Sequence, residues 1–153
     1  MERKEGYLLF WILLGLLWVP AIRQWSYDWS TNPQYFYGWA VPFLAAYLIY
    51  ERWPFRPVPG TIKHPRWIAG GAIILALFQW PIRWFGEANS DWWPVWWGYA
   101  FVAFGCSVPL LLLAGGWPWL KAFSFPLIFM LTAVPWPTYF EISVVQGLMR
   151  INA

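Results

Sequence analysis

Charge is what this sequence has least of. Only 11% of its 153 residues are Asp, Glu, Lys or Arg, against about 25% in a typical soluble domain, and that shortage argues against a water-soluble fold. Cysteine is nearly missing: Cys106 stands alone, which rules out an intramolecular disulfide and a cysteine metal cluster. His64 is the single histidine. Gly-rich phosphate loops, an HExxH pair and an internal repeat of about 20–50 residues are all lacking. Ten basic residues against seven acidic ones give a net charge of +3. They lie scattered in short segments and never form a run that could track phosphates, so nucleic acid is not an expected partner. No Ser–His–Asp, Cys–His or paired-carboxylate arrangement falls on one side of the chain. The residues imply no metal and no redox cofactor.

What the chain has in excess is apolar and aromatic surface. Sixty per cent of it is hydrophobic, including 16 Trp and 8 Tyr, and its mean hydropathy is +0.44. Trp and Tyr concentrate at the two membrane–water interfaces, so the composition is that of an integral membrane protein with lipid as its surroundings. A crossing helix needs about 17–25 mostly apolar residues. The gaps between charges predict spans at Gly6–Ile22, within Phe36–Tyr50, from Trp67 toward Trp84, from near Pro94 to Gly115–Gly116, and over about Trp119–Val134. Tyr139–Ala153 begins a further apolar segment. The expectation is an all-α polytopic bundle of about five helices plus the start of a sixth, forming one membrane-embedded domain over residues 1–153. Gly6–Ile22 follows Arg3 and Lys4 as a signal peptide would, but "WVPAIRQW" offers no small-x-small cleavage site and reads as a retained helix.

Basic residues set the orientation. With the N-terminus inside, the cytoplasmic side carries Arg3, Lys4, Arg52, Arg56, Lys63, Arg66 and Lys121, and the opposite side Arg23, Arg83 and Arg150. The segments Arg23–Tyr35, Phe85–Trp93 and "VPWPTYFE" are then expected as outward-facing loops. Pro20, Pro42, Pro109 and Pro126 interrupt apolar runs, either as packing kinks or as bends that open a cavity.

Few residues invite chemistry. Cys106, counted from Pro94 at about 1.5 Å per residue, sits roughly 18 Å into the bilayer; no charge near it in sequence would favour a thiolate, so it reads as structural. His64 reads as a solvated loop residue. Thr138 and Glu141 have capping-box spacing behind Pro137, although Glu141 is also a candidate substrate contact. Gln146 and Arg150 share a helical face at i, i+4, suited either to a polar interior or to the outer interface. Trp92, Trp93, Trp96 and Trp97 fit an interface belt, or a stacking surface for a ligand.

Two blocks carry a resemblance. "WSTNPQYFYGWAVPFLAAYLIYERW", residues 29–53, resembles the N-terminal signature of the exosortase/archaeosortase family: a Trp-led Asn-Pro loop, a Tyr-x-(His/Tyr)-Gly turn, a proline-bearing helix and a basic end. Its corresponding positions are Asn32, Tyr35, Tyr37, Gly38 and Pro42. "FPLIFMLTAVPWPTYFEISVVQGLMRINA", residues 125–153, is similar to the family's Phe-Pro-Leu helix, Val-Pro-x-Pro turn and Gln-bearing helix, on Phe125, Pro126, Pro135, Pro137 and Gln146. The resemblance implies a multi-pass enzyme of the bacterial cytoplasmic membrane. Such enzymes process secreted proteins that carry a C-terminal sorting tail, made of a short motif such as Pro-Glu-Pro, a hydrophobic helix and a basic end. It also implies a cysteine protease or transpeptidase mechanism, with Arg and His assisting. The family nucleophile lies in an Ala-Cys-Ser-Gly-like motif downstream of the Pro-x-Pro block, so this chain is expected to be the N-terminal, non-catalytic part of a longer exosortase-like protein, with no catalytic residue of its own. Candidate substrate contacts are Asn32, Tyr35, Tyr37, Gly38, Pro42, Pro135, Pro137, Glu141, Gln146 and Arg150. Read without the resemblance, the chain is a multi-pass membrane protein with outward-facing aromatic loops, and the alternative function is a non-enzymatic membrane scaffold or small transporter subunit.

Overall fold

A buried stripe at helical spacing organises the first element. In the computed structural model, which describes residues 2–89, 92–136, 146–147 and 149–150, helix α1 runs over Glu2–Thr31. Phe10, Leu14, Trp18, Ala21, Trp25 and Trp29 are all buried along it, three or four residues apart, as one face of a helix requires. The predicted outer loop from Arg23 to Tyr35 is therefore helical as far as Thr31. Arg23, Gln24, Asp28 and Ser30 do not stop it because the stripe continues beneath them to Trp25 and Trp29. Ser26, Ser30 and Thr31 turn their hydroxyls back onto the carbonyls of Arg23, Ser26 and Tyr27.

The Asn-Pro step ends α1. Asn32 caps a 3₁₀ helix over Pro33–Trp39, its side-chain oxygen accepting from the Gln34 amide at 3.1 Å, with Pro33 in the first-turn position where its missing N–H costs nothing. Helical angles persist through Trp39 and Ala40 into α2, Ala40–Arg52. Pro42 thus falls in the first turn of α2 and does not bend its middle. At about 1.5 Å per residue α2 alone rises about 20 Å, short of the ~30 Å hydrocarbon thickness. The 3₁₀ segment, at about 2 Å per residue, adds about 14 Å.

Helices α3, Pro65–Leu77, and α4, Gln79–Ala88, meet at Phe78 and form one apolar stretch of 24 residues long enough to cross a membrane. Ile73, Ile74, Leu77, Trp80 and Trp84 are all exposed, which suits lipid and not water. The predicted loop from Phe85 begins only after Ala88. Helix α5, Trp93–Met130, with a 3₁₀ turn Leu131–Ala133, is the second such stretch. Were it straight, Trp97 and Trp136 would stand roughly 58 Å apart; their rings are 5.7 Å apart. The chain reverses at Gly116, the one residue of α5 with non-helical angles (φ 68°, ψ −164°). This is a region open in practice to glycine.

The loop before α3 locks that reversal. The Gly60 amide donates to the Gly115 carbonyl at 3.0 Å, and the Trp119 indole N–H donates to the Pro57 carbonyl at 2.9 Å. Residues 93–115 pack against α3 and α4 through small contacts: Gly105 faces Leu75 and Gly98 faces Ile82, the close approach that joins helices in lipid. Cys106 is buried there, its Sγ 3.7 Å from the Ala72 carbonyl. Halfway along α1, the Trp18 indole donates to Ser107 Oγ at 3.1 Å, and Ser107 in turn donates to the Ala103 carbonyl. Most of the described residues are helical, and there is no strand among them. Tyr139–Ala153, expected to begin another helix, falls largely outside them; Gln146 and Arg150 are helical and exposed.

These contacts give the bundle two ends. Arg52, Arg56, Lys63, Arg66 and Lys121 lie with the Gly116 reversal, and the start of α1 joins them through the Trp11–Trp53 and Phe10–Trp119 ring contacts. The Asn-Pro segment, the start of α5 and Pro135 lie at the other.

Candidate functional site

The two sequence blocks meet at the end away from the basic residues. Trp29 is completely buried, and its indole N–H donates to the Ala133 carbonyl at 2.9 Å. Tyr35 Oη donates to the Trp136 carbonyl, also at 2.9 Å. Residues about a hundred positions apart in sequence are thereby tied across one corner. Pro135 is packed into the core beneath it, and Trp97 meets Trp136 edge to face.

Gly38 explains itself in this setting. A Cβ placed there would fall inside the Trp29 indole, so the ring can lie flat on the 3₁₀ turn only because no side chain intervenes. Trp39 closes the other flank, its ring 5.4 Å from that of Trp29. A seven-residue 3₁₀ helix is longer than that geometry usually sustains. The Asn32 cap, Pro33, the Trp29–Gly38 contact and the Tyr35 hydrogen bond are what hold it.

The corner has a buried half and an exposed half. Trp29, Tyr35, Gly38 and Pro135 face inward, whereas Phe36, Tyr37, Trp39 and Trp136 are exposed. This is an aromatic lip built on a fixed base. It can bind and orient an extended peptide through ring faces and backbone groups, but its described side chains include no thiol or imidazole. Removing the Tyr35 hydroxyl tests the tie directly. Tyr35→Phe should cost about 1 kcal/mol, the net worth of one hydrogen bond and at the low end of what an unpaired buried carbonyl costs. We expect it to lower the thermal midpoint of the detergent-solubilised protein while leaving helix content unchanged by circular dichroism.

Not every expected contact belongs to this corner. Asn32, Tyr35, Tyr37, Gly38 and Pro135 do. Pro42 instead lines a separate apolar groove of about 420 Å³ between α1, α2 and the last part of α5. Gln146 and Arg150 are helical and exposed. Pro137 and Glu141, with the capping box at Thr138, lie outside the described residues. Cys106 sits within the α3–α5 contact, and His64 is exposed, in the left-handed region just before α3. Among the described residues no group of three or more His, Cys, Asp or Glu side chains could hold a metal.

Sequence reading missed the tryptophans that do the joining. Trp92 and Trp93 are exposed, as an interface belt requires, but Trp96 accepts a hydrogen bond from the Trp25 indole at 3.3 Å on its carbonyl. Trp97 packs on Trp136. The available signal was the spacing of Trp18, Trp25 and Trp29 on one face of a helix that continues past the expected span.

Comparison with known proteins gives one match: the family model for the transmembrane exosortase (Exosortase_EpsH) covers residues 29–153, beginning at the Trp29 that anchors the corner. No curated protein and no solved structure matches the chain.

Proposed function

The chain belongs to the transmembrane exosortase family, and from that membership we propose that it is the tail-recognition part of a membrane cysteine protease or transpeptidase acting on secreted proteins with PEP-CTERM-like C-terminal sorting signals. The aromatic lip over Asn32–Trp39 and Pro135–Trp136 holds the extended segment next to the scissile bond, while the bundle offers a wall along which the hydrophobic tail passes. The observation that carries this reading is the pair of hydrogen bonds from Trp29 and Tyr35 to Ala133 and Trp136. They bring the two family blocks together at one corner, which supports a shared role for them. The nucleophile is assigned to residues other than Cys106, which is buried between helices.

A photo-crosslinking residue at exposed position 37, in cells co-expressing a tagged tail substrate, tests it. Cross-links should form to the sorting motif itself. Cross-links that form equally at position 73, on the lipid-facing side of α3, or at neither position, would overturn the assignment.

The proposed orientation places the N-terminus in the cytoplasm and the corner on the outer face of the bacterial inner membrane. The sorting of charge supports it: five of the basic residues lie at the end opposite the corner, together with the start of α1. In a Cys106→Ala background, Asn32→Cys and Trp136→Cys should both react with a membrane-impermeant thiol reagent on intact spheroplasts. Reaction of only one of them is incompatible with a shared outward corner.

A further inference from the structure

A polar cleft of about 460 Å³ lies where α1, α4 and α5 come together, and the proposed recognition role does not use it. Helix α1 contributes Val19, Pro20 and Arg23 to its lining, α4 contributes Arg83 and Glu87, and α5 contributes Tyr99. None of these residues belongs to the recognition corner or to the buried stripe of α1. Tyr99 is the buried member, and Gly86 leaves room beside its hydroxyl: a Cβ on Gly86 would stand 4.0 Å from Tyr99 Oη. Two guanidinium groups and one carboxylate leave the cleft with a positive charge in excess. Arg83 Nε donates to Glu87 Oε1 at 3.0 Å, whereas the Arg23 guanidinium has no ion-pair or hydrogen-bond partner among the described residues. A guanidinium carries five N–H donors and no acceptor, so the cleft holds far more donors than Glu87 can satisfy. That surplus calls for an oxyanion.

Depth identifies which oxyanion. Arg23 directly follows the uncharged run Gly6–Ile22, and Arg83 directly follows the uncharged run Trp67–Ile82. At about 1.5 Å per residue these runs rise about 26 and 24 Å, most of the ~30 Å hydrocarbon thickness. The two arginines therefore stand at the same boundary, between hydrocarbon and head groups, on two helices that share a cleft. The lining is also graded. Val19 and Pro20 lie one turn deeper on α1 than Arg23, so apolar surface gives way to guanidinium in the order in which a lipid's acyl chain gives way to its phosphate. A carboxylate reaching down from the aqueous side would make no use of that apolar end.

We propose that this cleft binds the phosphodiester of one glycerophospholipid, held by Arg23 and Arg83 with the Tyr99 hydroxyl as a third donor, its glycerol and first acyl carbons lying over Val19 and Pro20. The planar fork of arginine suits phosphate oxygens, and the long side chains keep their heads at the boundary while their stems lie in the apolar layer. A phosphate shared by the two arginines ties α4 to α1 without touching the recognition corner.

Native mass spectrometry of the protein in maltoside micelles, titrated with dioleoyl phosphatidylglycerol, tests this. The wild type should retain one lipid. Arg23→Gln should weaken that binding by about fivefold or more, the loss of one charge-assisted contact at an exposed site, while Arg66→Gln, at the other end of the bundle, should leave it within about twofold. Glu87→Gln removes the carboxylate from the cleft and should tighten binding by about threefold, which a merely structural role for the Arg83–Glu87 pair would not produce. Arg23, Arg66 and Glu87 are all exposed, so these variants keep the fold. Equal binding by the wild type and Arg23→Gln, unchanged or weaker binding by Glu87→Gln, or no retained lipid on the wild type would each overturn the proposal. So would equally tight binding of dioleoylglycerol, which lacks the phosphate, or displacement of the lipid by inorganic phosphate alone. A photoreactive residue at position 19 should cross-link to lipid in cells co-expressing the tagged tail substrate; cross-linking to that substrate instead would assign the arginines to a peptide carboxylate and overturn the lipid site.

Discussion

Replacing Trp29 with alanine is expected to disconnect the corner. The side chain is fully buried, fills the space over Gly38 and donates to Ala133. Truncating a buried tryptophan costs about 3–5 kcal/mol through the cavity and lost packing. At the membrane boundary part of the transfer term is absent, because lipid tails are as apolar as the core, so about 3 kcal/mol is the expected loss. Trp29→Phe keeps a ring over Gly38 and should cost less than half as much, mainly through the unpaired carbonyl. Thermal unfolding in detergent orders the three proteins, and a bifunctional cross-linker between cysteines at positions 39 and 136 reports on the corner itself. Its yield should fall sharply in Trp29→Ala and persist in Trp29→Phe. Comparable behaviour of the two variants would show that the ring's packing does not hold the corner.

The glycine pair at the reversal should be equally intolerant, for two separable reasons. A Cβ on Gly115 would overlap the Trp119 indole. That ring is fixed by its hydrogen bond to Pro57 and by edge contacts with Phe10, Trp53 and Phe123, so it cannot yield. Overpacking of this kind costs about 1–3 kcal/mol. At Gly116 the obstacle is the backbone: φ of 68° with ψ of −164° is strained for any L side chain, and the new Cβ would also lie 3.2 Å from the Gly60 carbonyl oxygen. A double-mutant cycle separates the two causes. Trp119→Leu should recover part of the stability lost in Gly115→Ala and none of that lost in Gly116→Ala. Recovery of both, or of neither, would contradict this account.

Much of the architecture is legible in the composition and the spacing of charges. Scarce charge and abundant tryptophan specify lipid surroundings; the Gly115–Gly116 pair marks where the fourth apolar run stops; Asn32–Pro33 marks where a helix must restart. Helix ends were harder to read. Arg23 looks like the end of a span, yet a polar residue on the far face of a helix does not break it, and the pull of Trp25 and Trp29 toward the core lies outside any local window. Pro42 looks like a kink and proves harmless, because the 3₁₀ turn before it places the ring in a first turn.

The corner shows the same division. Asn32, Tyr35, Gly38 and Pro135 stand out by motif, but a motif states only that the residues recur together. That Tyr35 reaches the Trp136 carbonyl and that Gly38 exists to admit the Trp29 ring follow from the reversal at Gly116 and the packing of α1 against both arms. The sequence by itself determined the solvent, the helical class and the residues able to turn the chain, since these depend on local chemistry and on periodicity. Tertiary structure decided which carbonyl each indole meets, because hydrogen bonds between residues a hundred positions apart are set by where the helices come to rest.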